Sequence, residues 1–473
     1  MSNRWYRKGG YRDLLKIAIP LILSTGAWSI QHFVDRMFLT WYSPEAIAAA
    51  MPSGMLNFTI MSLFIGTASY VNTFVAQYYG SKKYKNVGPI VWQGIYIAII
   101  GGLTLFLMIP LAEPIFRFVG HKGLVLQYET TYFKYLCFGA FPAIASSSLS
   151  GFFAGRGRTW PIMWVNILAT AVNLIMDYTL IFGKFGFPEL GVKGAAIATV
   201  LSACFSLTVY LILISRPSYN QRFNTFRGLK FNKKLFSRLF RFGFPNGVQF
   251  FLDIAGFATF LLLMGRLGTT SIAATNIAFN INNLAFMPMI GFGIAVSVLV
   301  GQHLGNNRPD LAERSAYSGF YLTFLYMVLL ASSYILVPGI YLKLFASHSD
   351  PESFAPISEV TIILLRFVAI YSIFDTLNII FAAAIKGAGD TRFVMVMLFF
   401  LSFFILVIPS YFALVVFKMS IYVGWGIAST YIISLGIGFF IRFKGGKWKS
   451  MRVIEKPSPT LPSTFPETPT PDI

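Results

Sequence analysis

Four carboxylates fall inside long apolar stretches of the sequence: Asp35, Asp177, Asp253 and Asp375. A charged side chain near the centre of a bilayer costs at least ~2.5 kcal/mol, so an acid kept there is a candidate functional group. The alternative is neutralisation by a neighbouring cation, and Arg36 directly follows Asp35. Consecutive residues of a helix project about 100° apart, which weakens that alternative. The four acids therefore predict binding of cations or protons within the membrane.

An oxygen-rich site is predicted around two of these acids. Asn173 and Asp177 are four residues apart and share one helix face. Hard cations bind through carboxylate, amide, hydroxyl and backbone oxygens, which Asp35, Thr199 and Ala195 would add. Two close carboxyl groups can hold a proton in place of a metal ion, so H+ and hypothetical Na+ both stay open. Taken alone, Asn173 or Thr199 is more often a structural residue that forms hydrogen bonds between packed helices than a functional one.

Asp253 and Asp375 predict a second acidic site beside a polar cavity. Asn276, Asn280 and Asn283 recur at spacings of four and three, a stripe typical of a wet cavity or of interhelical hydrogen bonding. His32 lies three residues before Asp35 and is a candidate proton relay, although a lone histidine is more often a packing residue. The predicted cavity side chains are Gln31, His32, Asn57, Asn276, Asn280, Asn282 and Asn283.

The elements that position these residues are transmembrane helices. Of the 473 residues, 56% are hydrophobic and 12% charged, whereas a soluble chain carries about 25% charged residues. Soluble enzymes and DNA-binding proteins are therefore poor candidates. About 20 apolar residues cross the hydrocarbon core, and we count twelve such windows. They cover residues 14–40, 52–79, 89–111, 130–153, 161–183, 192–214, 243–264, 272–301, 316–338, 358–384, 393–416 and 421–441.

The distribution of basic residues predicts the orientation. With the amino terminus inside, 28 of the 38 Lys and Arg lie on the cytoplasmic side and seven outside. Basic loops are retained in the cytoplasm, so we expect a multi-pass protein of the cell inner membrane with both termini cytoplasmic. The bias also accounts for the net charge of +20 without a nucleic-acid partner.

The two halves of the chain repeat each other. Pairs of identical residues lie 225 apart before the segment FASHSDPESF and 232 apart after it, which implies an insertion there. Six helices per half make the repeats parallel. We expect an amino-terminal lobe at 1–215, a basic cytoplasmic linker at 216–242, a carboxy-terminal lobe at 243–445 and a disordered Pro-rich tail at 446–473. The pairs are Pro20/Pro245, Asn57/Asn282, Gly66/Gly291, Gln77/Gln302, Gly80/Gly305, Gly155/Gly387, Gly157/Gly389, Thr159/Thr391 and Gly194/Gly426.

No cofactor or catalytic constellation is indicated. The two cysteines share no metal-ligand or redox spacing, the four histidines form no ligand-spaced cluster, and no nucleotide-binding motif is present. We expect a chain that is not an enzyme, surrounded by membrane lipid and monomeric, with no obligatory protein partner. The 49 Phe and 16 Met offer adaptable apolar surface, and acids among aromatic rings favour lipophilic cations.

These motifs together resemble the MATE multidrug and toxic compound extrusion transporters of the MOP flippase superfamily. The resemblance covers Pro20 to Gly426, and it implies two six-helix lobes forming a V with a central cavity. It further implies alternating access driven by H+ or Na+. The matching segments are QHFVDRMFL, NTFVAQYYGSKK, AGRGRTWP, IFGKFGFPELGVKGAAIAT, VSVLVGQHLGNN and KGAGDTR.

The resemblance also implies roles for the acids. Asp35 is similar to the family's acid on the first helix, and Asp177 with Asn173, Ala195 and Thr199 is similar to the cation site of DinF-like members. Asp253 and Asp375 are similar to the carboxy-lobe acids of NorM-like members, where Glu is usual at the first position. The chain thus carries features of both branches.

The expected function is exchange of amphipathic organic cations for H+ or Na+ by a secondary active multidrug efflux antiporter. The main alternative is a flippase of lipid-linked saccharides or other amphipathic lipids, whose cavity we expect to be cationic. Apart from Lys16 and Lys193, which lie at the very ends of predicted spans, the basic residues inside spans are Arg36, Lys134 and Arg366, against four acids. An intramembrane enzyme is a third and weaker alternative.

Overall fold

The computed structural model describes residues 5–346 and 351–455, and every regular element in those ranges is helical. Eleven helices are long and apolar enough to cross a membrane, or twelve if a pair bent by 42° counts as one span. The predicted all-α polytopic class is therefore confirmed. The helices are α1 Tyr11–Tyr42, α2 Pro44–Ser69, α3 Val71–Gly80, α4 Val87–Leu107, α5 Ala112–Val119, α6 Gly123–Phe138, α7 Ala140–Ala154, α8 Trp160–Phe182, α9 Gly191–Ile214, α10 Pro217–Phe223, α11 Lys233–Gly265, α12 Thr269–Gly305, α13 Pro309–Leu336, α14 Pro338–Ala346, α15 Pro351–Ala388, α16 Thr391–Leu401, α17 Ile408–Tyr411 and α18 Ile421–Lys444.

Short one-turn elements complete the chain. Three 3₁₀ turns lie at Tyr84–Asn86, Ile109–Leu111 and Lys447–Ser450, and π-helical turns flank α17 at Ser402–Val407 and Phe412–Val416. The bent pair is α6 and α7. Residues 347–350, within the predicted insertion, lie outside the described residues.

The turn between α8 and α9 brings two site-bearing helices together. Gly183 ends α8 in the left-handed region, with φ of 63°, and the Leu190 N–H donates back to the Leu180 carbonyl at 2.9 Å. A Cβ on Gly194 would lie 2.6 Å from that same carbonyl oxygen. The absence of a side chain there lets α9 pack directly on the backbone of α8.

The linker between the halves is shorter than the sequence predicts. Asn232 caps α11 by accepting from the N–H groups of Lys234 and Leu235, both at 3.1 Å. The last ten residues of the predicted linker, 233–242, are therefore the first turns of α11. The basic residues of this stretch led to its interpretation as a loop, although its apolar residues continue the helical pattern of the next span.

The linker is held to the amino-terminal half by a buried cation. Arg156 is 8% exposed, and its guanidinium lies 3.8 Å from the ring centroid of Phe152, 4.6 Å from Tyr219 and 4.9 Å from Phe223. Stacking of this kind contributes about 2 kcal/mol when desolvated. Because two of these rings belong to α10, Arg156 ties the linker to the end of α7.

The two halves meet closely at the end of the bundle where most Lys and Arg lie, which we call the basic end. A Cβ on Gly80 would clash with the Gln302 carbonyl oxygen, and one on Gly305 with the Gln77 carbonyl oxygen. Nearer the middle, Asn246 of α11 donates to the Gly66 carbonyl of α2 at 2.7 Å. The glycines of the sequence repeat therefore allow α3 and α12 to touch through their backbones.

The residues after α18 are packed, in contrast to the predicted tail at 446–473. Trp448 is 1% exposed and stacks on Phe443 with ring centroids 4.8 Å apart. The Val453 N–H donates to Gln77 Oε1 at 2.9 Å, and Glu455 pairs with Arg238 of α11. We call residues 446–455 the closing segment, since it joins both halves at the basic end. The composition beyond 456 suggested disorder; residues 456–473 lie outside the described residues.

Candidate cation-binding sites

The first predicted site is assembled from α1 and α8. Asn173 and Asp177 are fully buried, and Asp35 and Gln31 are each 9% exposed. With its amide nitrogen turned toward the acids, Asn173 donates to Asp35 Oδ1 at 2.8 Å and to Asp177 Oδ2 at 3.3 Å. The same nitrogen lies 3.3 Å from the Gln31 amide nitrogen. The structure thus brings together two acids and two amides that lie far apart in sequence.

The two carboxyl groups share the Asn173 amide nitrogen as a neighbour and interact electrostatically. A shared proton or a cation would stabilise such a pair, because two bare carboxylates repel. Asp177 Oδ1 is buried without a hydrogen-bond partner, so one oxygen remains available as a ligand. Arg36 is exposed and, among residues 5–346 and 351–455, makes no ion pair within 4.0 Å. Arg36 therefore acts on Asp35 electrostatically and not through an ion pair.

Thr199 and Ala195 lie together on α9. The Thr199 hydroxyl donates to the Ala195 carbonyl at 3.1 Å, and Ala195 is 1% exposed. The Thr199 hydroxyl hydrogen is used in a bond to the backbone of the same helix. The lone pairs of its oxygen stay available to a cation. Their role as cation ligands stays a prediction.

The second pair of acids lies in the carboxy-terminal half. Asp375 is 7% exposed and accepts from Asn378 Nδ2 at 2.8 Å. Asp253 is exposed, with Gln249 Nε2 3.4 Å from its Oδ2. Asp253 interacts electrostatically with Asp375 and, with opposite sign, with Lys386. The two predicted acids therefore share one region with a basic side chain.

The predicted cavity residues divide into exposed and packed groups. Asn276, Asn280 and Asn283 are exposed on one face of α12, and an exposed polar face in a membrane helix is suited to water rather than lipid. Asn282 accepts from Ser372 at 3.4 Å. Two further residues make packing contacts: Asn57 is buried against Cys137 Sγ at 3.7 Å, and the exposed His32 lies edge-on to Trp28, with ring centroids 4.9 Å apart.

Sequence reasoning missed two residues beside the acids. Lys386 falls in the last turn of α15, beyond the predicted span that ends at 384, so it was counted as a loop residue. Tyr132 is 8% exposed and lies within electrostatic range of both Asp35 and Asp177. One Tyr among 23 carries no signal in the sequence, whereas Lys386 directly before the glycines of KGAGDTR would have been found with a longer span.

Comparison with protein-family models identifies the family of this chain. The MatE family model matches residues 20–179 and 245–412, well over half of the chain. The chain belongs to the MATE family. Its members are membrane transporters rather than enzymes, and the match falls on the two halves that the sequence repeat identified.

Two curated MATE relatives are similar along most of their length. The chain is 28% identical over 403 residues to a probable multidrug resistance protein NorM of Brucella suis, covering 84% of this chain and 85% of that protein. It is 26% identical over 453 residues to the protein of the same name from Thermotoga maritima, covering 94% of each.

Solved MATE structures share the fold. The eukaryotic MATE transporter AtDTX14 is 19% identical and superposes with a TM-score of 0.82, covering 93% of this chain and 96% of that one. A multidrug resistance MATE family transporter of the MOP superfamily, in its outward-facing conformation, is 19% identical with a TM-score of 0.83, covering 93% and 97%.

Proposed function

We propose that this chain is a cation-coupled antiporter that exports amphipathic organic cations in exchange for H+ or Na+. The observation that carries the proposal is the buried cluster of Asp35, Asp177 and Asn173, with an unpartnered carboxylate oxygen. The multidrug resistance names of its NorM relatives support the same substrate class. We further propose that the protein lies in the cell inner membrane with its basic end in the cytoplasm.

In this mechanism the coupling ion enters between Asp35 and Asp177. The Asn173 amide can serve the site both with and without a bound cation. Rotation of its amide group by 180° presents nitrogen to the carboxylates when the cation is absent and oxygen to the cation when it is bound. The contacts at the basic end correspond to the outward-facing state. A ligand shifts the balance between states only by its differential affinity, so the ion and the drug must couple through shared charge.

The drug is held in the second half in this proposal. Asp253 and Asp375 provide negative charge, and the exposed amides of α12 add polar groups in the same half of the chain. Phe257 lies on Asp253's helix and packs edge-on to Phe279, with ring centroids 4.8 Å apart. Negative charge beside aromatic rings favours lipophilic cations.

The second candidate function, a flippase of amphipathic lipids, is favoured by Lys386. A lipid with a phosphate headgroup needs a cation in the cavity, and Lys386 lies near Asp253. Since the acids Asp253 and Asp375 interact with each other and Lys386 interacts with Asp253, negative charge outweighs positive charge in this group of three, and we rank the antiporter first.

The test is efflux of a fluorescent lipophilic cation from proteoliposomes, with pH and Na+ gradients imposed separately. We expect one gradient to drive efflux in the wild-type protein. Asp35→Asn removes one charge from the cluster, and we expect it to lower gradient-driven efflux at least about 100-fold while leaving drug exchange without a gradient. A matched control is Asp13→Asn, because Asp13 lies in the first turn of the same helix.

Two results would overturn the proposal. Normal gradient-driven efflux from Asp35→Asn would remove the cluster from the coupling mechanism. Absence of efflux under either gradient, in protein whose melting transition shows that it is folded, would favour the flippase, which transfer of a fluorescent lipid between leaflets would then test.

A further inference from the structure

A buried carboxyl group outside the two acidic sites lies at the end of the bundle opposite the basic end. The Glu129 side chain of α6 is 0% exposed, and its Oε1 lies 2.7 Å from His121 Nδ1. Its other oxygen, Oε2, is buried without a hydrogen-bond partner. The Glu129 backbone carbonyl is separately engaged by the Ser53 hydroxyl at 3.0 Å. Glu129 is thus a fixed, buried acid whose side chain is tied at one oxygen only.

The histidine connects this acid to the outside of the protein. His121 lies in the turn between α5 and α6, and its side chain is 34% exposed. An imidazole is the side chain that gains and loses a proton near neutral pH, and it can accept at one nitrogen while donating from the other. The pair is therefore open to water at His121 and closed at Glu129.

Other charges around the pair are engaged elsewhere or exposed. On α5, Glu113 and Arg117 pair with each other at 2.5 Å. On α9, the Lys193 ammonium group lies 5.1 Å from the ring centroid of Tyr135. The remaining charged residues on or beside the elements packed against α6 are exposed, and α4 and α7 carry none: they are Glu45 on α2, Lys122 before α6 and Lys134 on α6.

The pair continues toward the first cation site along one face of α6. Tyr132 follows Glu129 by three residues, a spacing that places neighbours on a helix surface. Tyr132 is 8% exposed and packs in one buried cluster with Leu39 of α1 and Ala195 of α9. It is also within electrostatic range of Asp35 and Asp177. Tyr132 therefore places a hydroxyl group between the exposed turn and the acids. Within residues 5–346 and 351–455 this hydroxyl makes no direct hydrogen bond to Glu129 or to either acid, so water must complete the path on both sides of Tyr132.

We propose that His121 and Glu129 are the proton-uptake pair that supplies the Asp35/Asp177 site, which rests on the proposed antiport and specifies H+ as its coupling ion. Water gives a proton to His121 Nε2, and His121 passes its Nδ1 proton to Glu129 Oε1. Protonated Glu129 then releases that proton through water toward Tyr132, whose hydroxyl accepts it and donates its own to the acids. Glu129 and Tyr132 are then back in their starting forms and one proton has moved inward. His121 is left with its proton on Nε2, and it regains the Nδ1–H form by exchanging protons with water at its exposed side.

The test separates proton supply from folding and from drug binding. Glu129→Gln and His121→Ala are reconstituted, and both pH-driven efflux and gradient-free drug exchange are measured. We expect Glu129→Gln to lower the pH-driven rate at least about 10-fold with exchange unchanged. We expect free imidazole to restore part of the rate to His121→Ala. Glu113→Gln, in the exposed pair at the same end, is the matched control with wild-type rates.

Each outcome has one meaning. Equal loss of exchange and of pH-driven efflux in Glu129→Gln would make the pair structural and overturn the inference. So would a wild-type pH-driven rate in that variant, or wild-type efflux driven by Na+ alone, and in both cases the proposed antiport would stand. If instead the wild-type protein showed no driven efflux, or Asp35→Asn retained it, the proposed function itself would fail.

Discussion

Gln77 and Gln302 make the same contact in opposite directions across the basic end. Gln77 Nε2 donates to the Gly387 carbonyl at 3.0 Å, and Gln302 Nε2 donates to the Gly155 carbonyl at 2.8 Å. Each donor belongs to one half and each acceptor to the other. The sequence repeat pairs Gln77 with Gln302 and Gly155 with Gly387. The contact between the two halves at the basic end is therefore made by two equivalent hydrogen bonds.

The glycines beside these glutamines give the first prediction. Gly80→Ala places a Cβ against the Gln302 carbonyl, and a backbone contact of this kind cannot relax through a rotamer change. We expect the basic end to open and gradient-driven efflux to fall more than about 10-fold. Maleimide labelling of Thr73→Cys in a Cys204→Ser background measures the opening, since Thr73 is 3% exposed.

Gly26→Ala is the control for this experiment. A Cβ there meets nothing within 4 Å, so we expect wild-type labelling and efflux. If Gly80→Ala labelled no faster than Gly26→Ala, the backbone contact at the basic end would be irrelevant to closure.

The closing segment breaks the symmetry of the two glutamines and gives the second prediction. Gln77 also accepts the Val453 N–H at 2.9 Å and reaches a second carbonyl, that of Ala388, at 3.4 Å. Gln77→Leu therefore leaves more buried groups without a partner than Gln302→Leu does. An unsatisfied buried group costs about 1–3 kcal/mol. We expect Gln77→Leu to increase Thr73→Cys labelling roughly 5-fold more than Gln302→Leu.

Deleting residues 451–473 provides the second arm. Without Val453 the two glutamines differ only by the long contact of Gln77 with the Ala388 carbonyl, so we expect their substitutions to have nearly equal effects on labelling. If Gln77→Leu still increased labelling 5-fold more than Gln302→Leu after the deletion, the closing segment would not contribute to closure of the basic end.

The third prediction concerns Lys386 and drug affinity. Lys386→Met removes a positive charge near Asp253, and we expect binding of a monovalent lipophilic cation to tighten about fivefold, for loss of about 1 kcal/mol of repulsion. Equilibrium fluorescence anisotropy measures this affinity. Lys386→Arg keeps the charge and should bind as the wild type does; unchanged affinity in Lys386→Met would place the drug away from Asp253.

The fourth prediction concerns the linker. Arg156→Lys loses the flat guanidinium that stacks on Phe152, Tyr219 and Phe223, and a Lys at a stacked site is not equivalent. We expect a loss of about 1–2 kcal/mol in stability, seen as a lower melting temperature, with drug affinity unchanged. Arg158→Lys is the exposed control; identical melting of the two variants would refute the role of stacking.

The acidic sites and the two repeats could be predicted from the sequence. The acids stood out because the membrane penalises them, and Asn173 with Asp177 followed from helical spacing. Gln77 and Gln302 were also found as repeat partners, yet their contact could not be predicted, because a repeat says nothing of how its copies face each other. Glu129 was missed because it lies one residue before a predicted span, where an acid looks like a solvated end.

The packed closing segment was missed for a related reason. Its residues are mixed in polarity, and their burial depends on a surface that both halves form only after folding. Trp448 and Val453, each 1% exposed, carry no periodicity that would distinguish them from a terminal tail.

The contact between Val453 and Gln77 has a consequence for biogenesis. Its two partners are 376 residues apart, so Gln77 has long been inserted when the ribosome reaches Val453. The membrane helices have all been synthesised before the last donor of the basic end exists. A chain that is cut before residue 453 therefore has all of its membrane helices but lacks the Val453–Gln77 hydrogen bond at the basic end. We expect the contact between the two halves to be weaker in such a chain, so that closure of the basic end depends on translation of the last residues of the described structure.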